Sequence, residues 1–360
     1  MLTVVLEKPG HFIATDRPEP VAAPGTALVR VHRIGVCGTD LHAFAGKQPF
    51  FSYPRVLGHE LGVEVIDPGD APHGLKAGDR CAVEPYLNCG TCISCRRGKP
   101  NCCTTLQVMG VHIDGGMQPR LRVPARKLHA SATLDYDQLA LVETLGIGAH
   151  AVERAQLAKD DFVLVIGAGP IGLSVIQFAK VSGATLAVMD VSDTRLEFCR
   201  KQLGVVHTLK PAADVRITNN LAGGVPDPNV HNTNNGVLDE LKRIGGGDLP
   251  TCVIDATGNP GSMMGAFDLP AHGGRIVFVG LFQGDVTFND PNFHRRELTV
   301  MASRNALPAT FGEVIRLVEA GQVDTRPWIT HRFKLADTPA VFPKDIAGNS
   351  AVLKAMIEVG

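Results

Sequence analysis

The sequence predicts an α/β protein of two domains, one β-rich and one built on a doubly wound parallel sheet. Three observations lead there. Residues 1–130 hold short alternating runs cut by Gly and Pro, and from about Asp160 the pattern becomes apolar strand, glycine turn and helix, repeated. Between a Cys/Gly-His-Glu group and a glycine loop lies a four-cysteine cluster, and that order of parts constrains function more than anything else in the chain.

The β-rich part comes first. Ala27–Arg33, Leu61–Ile66 and Arg80–Glu84 are short alternating runs of the kind that form strands. Asp161–Ile166 is continuously apolar, as expected of a parallel strand buried on both faces. Helical spacing follows over Ile171–Lys180, then strands at Thr185–Asp190, Thr251–Asp255, Arg275–Gly280 and Leu298–Ala302. Phe311–Glu319 reads as an amphipathic helix ending at Gly321, after which strand-like pieces return the chain to the first domain. The expected division is therefore 1–148 with 304–360 for the β-rich domain and 149–303 for the parallel sheet. The Asn-rich stretch 219–236 reads as surface loop without assigned chemistry.

Composition sets outer bounds. With 360 residues, 44% hydrophobic and 20% charged, the chain can build two cores. A formal net charge of −1 without a basic block offers no electrostatic hold on nucleic acid. No apolar run reaches the roughly 18 residues a membrane span needs. Met1–Gly10 is too short an apolar run for an export signal, and Glu7 stands early in it. The expected compartment is the cytoplasm, where thiols stay reduced and metal binding is favoured over disulfides.

The cluster is Cys89-x₂-Cys92-x₂-Cys95-x₇-Cys103. Chance would place four of the nine cysteines at such offsets in on the order of one chain in ten thousand. Four thiolates can close on a tetrahedral zinc and leave no open position, so this ion would hold a loop and do no chemistry. A redox motif or free thiols are the competing readings.

The glycine loop, Gly167-Ala-Gly169-Pro170-Ile171-Gly172, follows a strand and opens a helix. The first glycine makes the turn, the second admits a pyrophosphate, and the third lets helix meet strand; the helix N-terminus then faces the phosphates. Asp190 ends the next strand, where a carboxylate accepts hydrogen bonds from a ribose diol and repels a 2′-phosphate. Val191 and Ser192 offer no arginine to receive such a phosphate, so NAD is expected over NADP. A Rossmann-like domain without nucleotide is the alternative.

Cys37-Gly-Thr39-Asp-Leu-His42 and Gly58-His59-Glu60 follow early strands, and Glu143 stands in the apolar stretch Leu139–Ala149. Singly, such residues are as readily core filler or a satisfied buried imidazole. An unpaired carboxylate at Glu143 would be costly, and a metal would remove that cost. Thiolate, imidazole and carboxylate leave a fourth position for substrate, the catalytic arrangement of zinc.

In this order of motifs the chain resembles the zinc-containing medium-chain alcohol/polyol dehydrogenases over essentially its full length. The resemblance implies a GroES-like catalytic domain and a Rossmann domain, with two zinc ions and NAD per chain. It implies catalytic zinc on Cys37, His59 and Glu143, structural zinc on Cys89, Cys92, Cys95 and Cys103, and Glu60 as a neighbour able to reach the metal in some states. Acidification of a substrate hydroxyl by zinc, proton passage through Thr39 toward His42 and hydride transfer to nicotinamide are the implied steps. The implied cofactor residues are Gly167, Gly169, Pro170, Ile171, Gly172, Asp190 and Arg195. Two departures stand out: Gly62 comes one residue early after Gly58-His-Glu, and Thr144 follows Glu143 where many relatives carry proline. Cys102, beside Cys103, is left free by the family's spacing, and Cys81, Cys199 and Cys252 read as core.

Glu143 resembles the sorbitol and threonine branch. Gln48–Arg55, Val111–Gly116, Asp290–Glu297 and Ala302–Asn305 resemble the sugar-acid members, the L-galactonate and L-gulonate 5-dehydrogenases. The expected substrate is thus a sugar acid oxidised at C5, with a neutral polyol or L-threonine as alternatives and a non-catalytic NAD- and zinc-binding protein as the other class. Arg304, Arg295 or Arg296 could grip the carboxylate, unless they face solvent or bind cofactor phosphates, and Phe50 and Phe51 could wall the pocket unless they are core. Assembly as a homodimer or homotetramer rests on the resemblance alone.

Overall fold

The computed structural model describes residues 1–48, 51–69, 74–211 and 235–359. Phe50 and positions 219–234 of the Asn-rich stretch lie outside the described residues. The chain divides into two units: Met1–Gly146 with Asn305–Gly360, and Ile147–Arg304. The first join falls inside the helix Val142–Ala155.

The first unit is organised by a seven-stranded sheet. Its order runs Ile329–Lys334, Lys354–Glu358, Thr26–Gly35, Glu60–Asp67, Arg80–Val83 and Leu128–Ala130, with Arg120–Pro124 also pairing Thr26–Gly35. All neighbours are antiparallel except Ile329–Lys334 with Lys354–Glu358. Val29, Val31, Ile34, Leu61, Val63 and Val65 are buried in its core, the alternation that marks these segments in the sequence. Two glycines let backbone and side chains approach closely in the central pair. A Cβ on Gly35 would collide with Glu60 Oε2, and one on Gly62 would strike the carbonyl of Tyr136. The early glycine of the sequence therefore has a physical reason: the helix Tyr136–Ala140 lies directly on strand Glu60–Asp67 at that residue.

The second unit is a six-stranded, all-parallel sheet. Its strand order is His207–Leu209, Thr185–Met189, Phe162–Ile166, Cys252–Asp255, Arg275–Phe278, Thr299–Ala302. Every residue of Phe162–Ile166 is buried, which is why that run shows no alternation. The strand order reverses beside Phe162–Ile166, and ligands of such sheets bind at the carboxyl ends of the strands at that point. Helix Pro170–Ser182 starts there, with proline in its first turn and Gly183 in the left-handed conformation at its end.

Substituting Gly62→Ala is expected to cost about 1–3 kcal/mol by overpacking against Tyr136. Gly10→Ala, where a Cβ has no neighbour within 4 Å but φ is +74°, is expected to cost about 1 kcal/mol. Urea midpoints at unchanged m-value check both, and equal losses at the two positions would contradict the packing argument.

Candidate active site and metal centres

The first centre is assembled around the central strands of the first unit. Cys37 lies at the N-terminus of helix Gly38–Phe44, and its N–H donates to Asp40 Oδ2 at 2.9 Å. His59 precedes strand Glu60–Asp67, and its Nδ1 faces Asp40 Oδ1 at 3.8 Å. Cys37, His59 and Glu60 each offer a ligand atom within 4.8 Å of the others. Thr39 and His42 sit one turn apart on the same helix, Thr39 half-buried and His42 exposed.

Sequence reasoning put Glu143 with Cys37 and His59, and Glu60 as a neighbour able to reach the metal. The structure brings Glu60 into that group because Gly35↔Glu60 pairing seats it at the end of the strand leading to Cys37. Glu143, in the first turn of Val142–Ala155, accepts a hydrogen bond from the Tyr86 hydroxyl at Oε1 and acts electrostatically on His59. Glu60 in turn has both carboxylate oxygens 2.8 Å from Lys354 Nζ, which also donates to the Val36 carbonyl at 3.1 Å. Glu60 is 0%, Lys354 2% and Glu143 6% exposed.

Charge governs this centre. Burial raises the carboxyl pKa of Asp40 and of Glu143, only partly offset by His59. Burial also works against the Glu60 carboxylate, but Lys354 and His59 together overcome it and hold that group below its usual range. Burial disfavours a charged His59, yet Cys37, Asp40 and Glu143 lift its pKa well above the histidine range. Burial and the neighbouring Glu143 anion keep Tyr86 a hydroxyl. Among the described residues, three buried carboxyl groups (Asp40, Glu60 and Glu143) and the half-buried Cys37 thiol thus gather around His59 and Lys354. A divalent cation fits that donor set: a thiolate, an imidazole and carboxylates are the donors zinc takes, and Asp40 Oδ1 and His59 Nδ1 are buried without a hydrogen-bond partner. Tyr86 and Lys354 were missed by sequence reasoning, and Asp40 was quoted without a role. The signal for Lys354 was a lone cation opening the apolar run Lys354–Ile357; for Tyr86 it was an aromatic just before the cysteine cluster.

In the second centre Cys89, Cys92, Cys95 and Cys103 bring their sulfurs within 4.8 Å of one another. Cys92 to Cys95 and Cys103 to Cys89 are each 3.5 Å, close to the roughly 3.8 Å edge of a tetrahedron with 2.3 Å Zn–S bonds. All nine cysteines are free thiols, and Cys102 is exposed. The Thr91 hydroxyl and amide, with the Cys92 amide, lower Cys89 to about 5; backbone N–H groups lower Cys92 to about 7. Burial instead pushes Cys81, Cys199 and Cys252 up to about 12, which makes them inert core thiols.

In the second unit Gly167 takes φ +94°, and a Cβ on Gly172 would collide with its carbonyl. Gly169, Pro170 and Ile171 keep the helix N-terminus partly exposed. Asp190 accepts from the N–H of Ala168 at 2.6 Å and of Ser192 at 2.8 Å, which fixes its carboxylate beside the loop. Arg195 Nη1 lies 3.9 Å from Asp190 Oδ2. An arginine therefore does stand beside this subsite, and the expectation of NAD rests on the Asp190 carboxylate alone. Arg296 donates to the carbonyls of Asp268 and Pro270, and Arg295 to Asn292 on its own helix. Arg304 is exposed, and Phe51 packs on the first unit's core with its ring 4.8 Å from Tyr53.

Residues 23–133 match the alcohol dehydrogenase GroES-like domain, and residues 170–320 match the zinc-binding dehydrogenase domain. The chain is 39% identical over 357 residues to L-galactonate-5-dehydrogenase of Escherichia coli K12, covering 99% of this chain and 98% of that protein. It is 31% identical to 2-dehydro-3-deoxy-L-galactonate 5-dehydrogenase of Pseudoalteromonas atlantica, covering 97% and 94%. Among solved structures, the rspB alcohol dehydrogenase of Escherichia coli CFT073, complexed with NADH, superposes with a TM-score of 0.84 at 30% identity and 99% coverage of both chains. Two domain matches in chain order and a full-length relative at this identity have one meaning: the chain belongs to the zinc-binding alcohol dehydrogenase family.

Proposed function

We propose that this protein oxidises a secondary alcohol of a sugar acid, L-galactonate or L-gulonate at C5, and passes the hydride to NAD. The observation that carries the chemistry is the centre where Cys37, His59 and Glu60 offer ligand atoms within 4.8 Å of one another, with the buried Glu143 near enough to act on the His59 charge. The substrate class draws support from the 39% identity to an L-galactonate-5-dehydrogenase. Bound there, zinc would supply Lewis acidity toward a substrate hydroxyl, and NAD would supply the hydride acceptor.

Cys37, His59 and Glu143 are the proposed ligands of the catalytic ion. Drawing Glu60 onto the metal would strand Lys354 as an unpaired buried cation, and would leave Glu143 a buried anion without a counter-charge. With Glu143 as ligand, both carboxylates are compensated. Asp40 Oδ1 lies 3.8 Å from His59 Nδ1, an electrostatic contact without a hydrogen bond, and Glu60 with Lys354 forms a neutral pair. The Thr39 hydroxyl relays the substrate proton, accepting it as it passes its own outward toward His42, one turn further along the helix and exposed to water. Cys89, Cys92, Cys95 and Cys103 hold the second zinc. Gly167, Gly169, Pro170, Ile171 and Gly172 receive the pyrophosphate, Asp190 the ribose, with Arg195 alongside. The proposed partner of the substrate carboxylate is Arg304, whose guanidinium can grip it through two hydrogen bonds.

NADH formation by zinc-replete protein on L-galactonate, L-gulonate, sorbitol and L-threonine is the direct test. High kcat/KM on the acids alone is the expected result, and a preference for sorbitol or threonine would discard the substrate while keeping the enzyme class. Arg304→Met should raise KM for the acid about tenfold or more and leave a neutral polyol nearly unaffected; equal losses on both would sink the carboxylate grip. Thr39→Ala should lower kcat about 10²-fold with two zincs retained, and full turnover would remove Thr39 from the proton path.

A further inference from the structure

The contact between Tyr86 and Glu143 joins residues 57 apart in sequence and is buried. Nothing about it is loose. Tyr86 is 3% exposed, and its backbone is paired with Val108 in a two-stranded ladder. Its ring meets Phe311 edge-on at 6.2 Å, and Phe311 stacks on His129 at 4.9 Å. Two residues earlier, Glu84 is clamped by buried Lys127 and by His129 at 3.3 Å. Two residues later, Asn88 donates to Cys95 Sγ at 3.7 Å, and Cys89 follows as the first thiol of the cluster. The hydroxyl is thus fixed by packing, by an ion pair and by the cysteine lobe, and it is spent on one oxygen of Glu143.

We propose that Tyr86 is a positioning residue: its hydroxyl holds Glu143 Oε1, so that Oε2 is presented to the metal at the Cys37–His59 centre. The inference rests on the reading of Glu143 as a ligand. A carboxylate at the start of a helix has several rotamers, and a metal selects among them at a cost in affinity. A rigid donor on the non-ligating oxygen removes that cost and fixes one-oxygen coordination. Outer hydrogen bonds of this kind are commonly worth about 10- to 100-fold in metal affinity. Because Tyr86 lies three residues before Cys89, the four-cysteine lobe holds the element that carries the hydroxyl.

The test is zinc release from the two-zinc protein into a chromogenic chelator, with cobalt-substituted absorption spectra of the same variants. Tyr86→Phe, which keeps the ring on Phe311, should weaken one zinc about 10- to 100-fold and shift the weaker cobalt d–d bands. The intense sulfur-to-cobalt bands of the lobe should stay in place. Glu143→Gln should weaken the same zinc at least as much. If Glu143→Gln leaves that zinc unchanged, Glu143 is not a ligand and the reading beneath the proposal fails. If Glu143→Gln weakens it and Tyr86→Phe leaves affinity and spectrum unchanged, the positioning role alone is overturned. Phe311→Leu, which loosens Tyr86 and spares the hydroxyl, carries the same test should Tyr86→Phe not fold: a weakened catalytic-site zinc supports the role, and an unchanged one overturns it.

Discussion

Three carboxyl groups and one lysine are buried near the end of strand Thr26–Gly35, and much of the first unit's local structure follows from keeping them there. Each carboxyl group has a dedicated partner. Asp40 takes the Cys37 amide, Glu60 takes Lys354, and Glu143 takes Tyr86. Gly35 stays bare because the Glu60 carboxylate occupies the space its Cβ would fill. A buried ion pair of this sort is weak support for stability, since desolvating both charges consumes most of the Coulomb gain. Its use is geometric: it holds the Glu60 carboxylate in place beside Cys37 and His59.

The two units solve their binding problems by different means. The first collects side chains from strands and helices far apart in sequence, and its chemistry lies in their charge. The second presents backbone: a left-handed Gly167, a helix end with unpaired N–H groups, and one carboxylate fixed by two amides. Backbone sites of that kind depend on spacing more than on residue chemistry.

That difference explains what was legible in the sequence. The glycine loop and the four cysteines are each confined to a short stretch, so spacing alone exposes them. The continuous run Phe162–Ile166 and the alternating Thr26–Gly35 announce two different sheets by their periodicity. The partners of the first centre have no such signature. Tyr86 and Glu143 are 57 residues apart and meet where a short strand faces a helix, while Lys354 and Glu60 are 294 apart and share a sheet through strand Thr26–Gly35. For the same reason the sequence could name the acids at this centre but not which of them stands nearest Cys37 and His59. The Gly62 displacement was visible as an oddity, and only the helix resting on it supplies the cause.

The place of Lys354 has a consequence for biosynthesis. A ribosome delivers Cys37, His59 and Glu60 early, then the whole of the parallel-sheet unit, and only afterwards the strand Lys354–Glu358. During that interval Glu60 is an acid destined for a dry interior with its counter-ion not yet made, so the central sheet cannot close over it without penalty. The parallel-sheet unit, contiguous in the chain, meets no such delay and can fold as it emerges. The Glu60–Lys354 pair can therefore form only after the parallel-sheet unit has been made.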